Sequence, residues 1–170
     1  MNIRTARPED VSTLNQLVNS AYRGESSRQG WTTEADLLDG IRTSEAALHG
    51  MIKKPDAVIL VAEEDDQLLA CIYLEKKSAV LYLGMLTVRP HLQGKGLGAI
   101  LMNAAEERAR TLHCRAIQMT VITERQSLID FYVRKGYKDT GERLPFPNDP
   151  AFGIPRKPLQ FLVMEKQLPK

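Results

Sequence analysis

The sequence has little of what builds a disulfide-stapled, metal-bound, membrane-spanning or nucleic-acid-binding protein. Cysteine occurs only as Cys71 and Cys114 in 170 residues. Both lie in apolar strand-like surroundings or at a helix end, so they read as buried or incidental thiols, not a disulfide or metal pair. His49, His91 and His113 are scattered, without the His/Cys spacing suited to zinc, and no metal is expected. The formal net charge of +2 is too small to argue for nucleic acid. No apolar run is long enough to span a membrane. Asn2-Ile3-Arg4-Thr5 lacks the apolar core of a signal peptide, so a cytoplasmic location is expected. What is present, 43% hydrophobic and 26% charged residues, suits one soluble domain over residues 1–170, large enough to bury a core unaided.

Residues 81–112 organise the rest. An apolar strand ends in Val88-Arg89-Pro90, a glycine-rich turn follows as Gln93-Gly94-Lys95-Gly96-Leu97-Gly98, and a helix opens directly from it. Leu97, Ile100, Leu101, Ala104, Ala105, Ala109 and Leu112 recur at helical spacing, with Asn103, Glu106, Glu107 and Arg110 largely opposite. The first N–H groups of such a helix lack intrahelical partners, and its dipole adds positive charge there, which makes an anion site best suited to phosphate. Side chains in the turn would hold a bulky oxyanion off the backbone. The spacing is neither Gly-x-Gly-x-x-Gly nor a P-loop, so a dinucleotide fold and a P-loop NTPase are excluded. Taken alone, a glycine-rich turn without ligand remains open.

Gln93-Gly94-Lys95-Gly96-Leu97-Gly98 after Leu86-Thr87-Val88-Arg89-Pro90 resembles the acyl-CoA signature of the GNAT superfamily of N-acetyltransferases. A second stretch, Tyr132-Val133-Arg134-Lys135-Gly136-Tyr137, is similar to that family's Tyr-x-x-x-Gly-Phe/Tyr helix ending. The resemblance implies acetyl-CoA as cosubstrate and transfer of its acetyl group to a primary amine of a small molecule or peptide. The glycine turn would then bind the coenzyme pyrophosphate, and main-chain groups of Leu86 and Val88 would meet pantetheine and the acyl oxygen. Tyr132 would protonate the departing thiolate; its alternative is a core aromatic in a helical stripe. Arg134 and Lys135 are candidates for the coenzyme 3′-phosphate. Gly84 is a candidate for a strand irregularity.

Two departures from the family pattern stand out. Residues 79–88 contain no acid to take the amine proton, which leaves a water chain, Glu25 or Glu75 as candidates. Arg125 occupies the place of a coenzyme-contacting asparagine and is open to three roles: phosphate ligand, acidic-substrate ligand, or solvated helix-start residue. The missing acid also gives weight to a non-catalytic acyl-CoA sensor or interaction module on the same fold. Tyr22 and Trp31 are candidates for lining an acceptor pocket, with Phe146, Phe152 and Ile154 from the proline-rich segment capping it or tying that loop down. A monomer and a homodimer are equally open.

The expected order is a strand at 3–6 and a helix opening at 8–10. A short helix follows from Thr33, with Asp36 completing a capping box, through Ile41, and another runs over 44–53. Strands at 57–62, 68–76 and 79–88 pair antiparallel through short turns, and 116–121 adds a parallel strand through the helical crossover. A helix at 126–135, a strand at 137–143 and a last strand at 161–164 close an α/β (α+β) plan. Its single mixed, mostly antiparallel sheet has helices on both faces, the order that the GNAT resemblance also implies.

Overall fold

The computed structural model describes residues 1–169, and the side chain of Glu25 lies outside the described residues. Strands β1 (Asn2–Thr5), β3 (Ala57–Glu64), β4 (Gln67–Lys77), β5 (Val80–Val88), β6 (Ala116–Ile122), β7 (Lys138–Pro145) and β9 (Gln160–Gln167) form one sheet in the order β1-β3-β4-β5-β6-β9-β7. A two-residue pair, β2 (Leu38–Asp39) with β8 (Ile154–Pro155), stands apart. The helices are α1 (Val11–Tyr22), α2 (Glu45–Lys53), α3 (Leu97–Thr111) and α4 (Gln126–Arg134).

Alternation along the strands explains the two layers of helix. In β3, Val58 and Ala62 face a core completed by Leu101, Ala105, Leu128 and Tyr132 of α3 and α4. Ile59 and Val61 point the other way, into a core with Leu14, Leu17, Val18 and Ala21 of α1 and Leu48 of α2. The expected sheet with helices on both faces is therefore present.

Among the described residues only β5 and β6 run parallel, joined through α3, and their pairing covers just Val80–Tyr82 against Ala116–Gln118. β6 continues alongside β9 as far as Ile122 opposite Phe161, whereas β5 has no further partner on that side among the described residues. β5 also bulges. Cys71 faces Thr87 and Tyr73 faces Gly84, so Met85 and Leu86 together oppose one β4 residue. The irregularity expected at Gly84 falls one residue later. Met85 takes φ 53°, and its carbonyl accepts from the Thr87 hydroxyl at 3.0 Å, with the Cys71 thiol at 3.9 Å.

The helix expected over 33–41 does not form; it is replaced by turns and β2. Asp36 pairs with Arg28 at 2.9 Å instead of capping backbone, and the Thr33 hydroxyl accepts from the nearer Ala35 N–H at 3.1 Å. The proline-rich segment, expected to be irregular, supplies β8 and a 3-10 turn at Pro150–Phe152.

Candidate active site

The glycine turn forms as expected. Gly94 and Gly96 have φ of 82° and 87°, left-handed values that L side chains adopt only with strain. The first backbone bond of α3 runs from Ile100 N–H to Gly96 carbonyl at 3.1 Å, which leaves Leu97, Gly98 and Ala99 N–H without helical acceptors. These residues line a cavity of about 330 Å³. Its other walls are Leu86 and Val88 of β5 and Leu128, Phe131 and Tyr132 of α4, with Arg134 and Lys135 alongside.

Two predicted coenzyme contacts, Lys95 and Arg125, do not line this cavity. Lys95 faces a separate surface hollow with Arg89, His91, Glu64 and Asp66. Gln93 lines the main cavity, yet its side chain is fully committed. It accepts from Trp31 N–H at 2.8 Å and Thr32 N–H at 3.3 Å, and donates to Thr32 Oγ1 at 2.7 Å and Val88 carbonyl at 3.0 Å. Its side chain is thus a strut holding the 30–32 loop on the turn. Trp31 packs on Phe131, ring centroids 5.5 Å apart, and lines the glycine-turn cavity. The loop is pulled there by those Gln93 bonds.

Tyr132 is buried, in edge contact with Phe131 at 5.4 Å and Tyr137 at 6.0 Å. Its hydroxyl makes no hydrogen bond among the described residues. Burial pushes it well above the ordinary phenol value, the neighbouring Tyr22 adds to this, and Arg125 opposes it, so it stays a proton donor. Tyr22 donates its hydroxyl to the Leu86 carbonyl, and its ring lies between Arg42 and Arg125 at 5.8 and 5.7 Å.

Beyond Tyr22 the walls continue. A throat of about 70 Å³ shares Tyr22, Leu86, Leu128 and Tyr132 with the first cavity. It shares Arg42, Gly84, Met85 and Thr120 with a third space of about 290 Å³, to which Phe146 and Phe152 contribute. Ile154 instead pairs with Asp39 at the surface.

The throat contains a carboxylate that the sequence did not reveal. Glu34, 6% exposed, receives Arg23 Nε and Nη2 on Oε1 at 3.1 and 2.9 Å, and Arg125 Nη1 on Oε2 at 3.1 Å. Arg125 is therefore buried and paired, not solvated, and it also donates to the Thr32 carbonyl. Arg23 further bonds Ile41 and Phe152 carbonyls at 2.7 and 3.1 Å, fastening the proline-rich loop to α1. Burial lowers the Arg23 guanidinium from its ordinary value and Glu34 opposes that shift. No signal in the sequence separates Glu34 from other acids, because its partners lie 11 and 91 residues away.

Of the candidate bases, Glu75 accepts from the Tyr73 hydroxyl at 2.6 Å and pairs with Lys54 at 3.2 Å. Burial would raise its carboxyl, but those two hydrogen bonds outweigh it and hold it below the usual range. Glu75 borders none of the three spaces. Glu25 has no described side chain.

Comparison with known proteins agrees with this geometry. The uncharacterized N-acetyltransferase YhfO of Bacillus subtilis is 27% identical over 151 residues, covering 83% of this chain and 93% of its own. The ribosomal-protein-alanine N-acetyltransferase of Brucella melitensis superposes with a TM-score of 0.74 at 19% identity, over 99% of this chain and 100% of that one. The PaiA N-acetyltransferase of Thermoplasma acidophilum, solved with coenzyme A, gives 0.71 at 21% identity over 98% of both. The yncA protein of Salmonella typhimurium, solved with its cofactor acetyl-CoA, gives 0.71 at 19% over 100% and 95%. The model of the acetyltransferase (GNAT) family matches residues 14–137, most of the sequence, and the chain belongs to that family.

Proposed function

We propose that this protein moves an acetyl group from acetyl-CoA to a primary amine by direct attack of nitrogen on the thioester. The observation that supports this best is the run of three N–H groups at the mouth of α3 without partners among the described residues, opening on a cavity that reaches Tyr132 beside the β5 bulge. The residues present fit the coenzyme. Leu97, Gly98 and Ala99 N–H groups and the α3 dipole suit a pyrophosphate, and Arg134 and Lys135 add positive charge for a further phosphate. The divergence of β5 from β6 leaves room for an extended arm along Leu86 and Val88. Both carbonyls already accept a bond, from Tyr22 and Gln93, so further contact there uses N–H groups or second lone pairs.

Bound, acetyl-CoA supplies an activated carbonyl. The walls of the throat hold it beside the incoming nitrogen, which removes much of the entropic barrier. A backbone N–H of the bulged segment aimed at the developing oxyanion would contribute about 3 kcal/mol. Tyr132 donates its proton toward the departing sulfur. Glu34 is locked between two guanidinium groups, so the amine gives its proton to water in the throat, not to a side chain.

Thiol release from acetyl-CoA in the presence of primary amines tests the proposal. Binding without release for any amine, from amino acids to polyamines and peptides, would contradict it.

A further inference from the structure

We infer that the amine acceptor carries a carboxylate, which Arg42 holds in the aromatic-walled 290 Å³ space beyond the throat; this rests on the acetyl-transfer reading above. Three guanidinium groups, Arg23, Arg42 and Arg125, and a single carboxylate, Glu34, line the throat and the outer space. Glu34 takes three hydrogen bonds, all from Arg23 and Arg125. Arg42 has no acidic partner among the described residues and makes no side-chain hydrogen bond there. Its position is not accidental, because Asn19 Oδ1 accepts from the N–H groups of Arg42 at 2.7 Å and Thr43 at 3.1 Å. It borders both the throat and the outer space.

A partly buried cation without a counterion is costly unless a ligand supplies one. A guanidinium favours a planar carboxylate, which it can bind through two parallel hydrogen bonds. Apart from Arg23, which is paired with Glu34, and Thr120, the rest of the wall is mainly aromatic and apolar, with Tyr73, Tyr82, Phe146, Phe152 and Phe161. No acid borders this space, so nothing there would attract a second amino group, and the excess positive charge opposes polyamines. The matching acceptor is a small amine with one carboxylate and an apolar or aromatic body.

The test uses acceptors that differ only in the carboxylate: phenylalanine against phenethylamine, and leucine against 3-methylbutylamine, with spermidine as a polycation. Acetyl-CoA affinity is measured first by calorimetry. No binding there removes the acetyl-transfer reading, and this inference with it. With binding present, kcat/KM is expected to be at least tenfold higher for each carboxylate-bearing member. Arg42→Ala should then raise KM for phenylalanine by about tenfold to a hundredfold, leaving kcat and coenzyme affinity nearly unchanged, and Arg42→Lys should recover part of the loss. Circular dichroism of both variants separates this from misfolding. Equal or better use of the amines lacking a carboxylate, or an unchanged KM in Arg42→Ala, overturns the inference alone. So does failure of every acceptor combined with no heat from N-acetylphenylalanine added to the coenzyme A complex.

Discussion

Replacing Glu34 by Gln keeps the shape of the side chain and removes its charge. Arg23, Glu34 and Arg125 have side chains only 5, 8 and 8% exposed, so both guanidinium groups would stay buried without their counterion. One amide position would also turn a donor toward a donor. Removing one member of a buried ion pair costs about 3–5 kcal/mol. A domain of this size loses about 2–4 °C in Tm per kcal/mol, so Tm should fall by roughly 6–20 °C. The effect should be the same at low and high salt, because a buried pair is poorly screened. Thermal unfolding followed by circular dichroism at two ionic strengths measures this. Limited proteolysis should also cut the 146–158 loop faster, since Arg23 is what bonds the Phe152 carbonyl. A fall below about 2 °C, or one that disappears in salt, refutes the view that this triad holds the roof of the throat.

Tyr132→Phe should lower kcat by about a hundredfold or more while acetyl-CoA affinity stays within about twofold, as expected for a proton donor to the leaving group; equal turnover would make Tyr132 a packing residue. Gly153→Ala should destabilise by about 1–3 kcal/mol, because Gly153 has φ 107° and a Cβ there would meet Arg23 Nη1 at 2.3 Å; an unchanged Tm would contradict the close approach. Asp10 is held below its usual value by a hydrogen bond from Arg4, so its stabilisation is complete above the unfolded-state value, about 3.9, and is lost as pH falls through the lower folded value. Arg4→Met should therefore lower stability at neutral pH and flatten its loss on the acid side, seen in urea melts from pH 7 to 2.

The parts legible in the sequence are those whose signal is local. The α3 face repeats every three or four residues, β3 alternates between two cores, and Gly96 precedes a helix whose first amides have nowhere to bond. Tyr132 could be placed because α4 and its stop at Gly136 lie within one short stretch. The throat was hidden because it is assembled from distant segments. Arg23, Glu34, Arg125 and Phe152 come together from positions up to 129 residues apart. The capping box at Thr33 misled because Asp36 found Arg28, only eight residues away, and Leu38 found the distant β8. Gln93 shows a subtler case: its motif position was right for the turn, but its side chain serves the 30–32 loop. Lys95, two residues on in the same motif, faces a separate hollow.

The proposed acetyl transfer requires bare amides at the start of α3 to grip the pyrophosphate of acetyl-CoA. Calorimetric titration of the protein and of Gly96→Asp tests that most directly, with circular dichroism to confirm that the variant folds. The substitution puts a side chain where φ is 87° and a negative charge beside an anion site. The parent protein should bind acetyl-CoA and the folded variant should show no measurable binding. Equal affinity in the two would contradict the account.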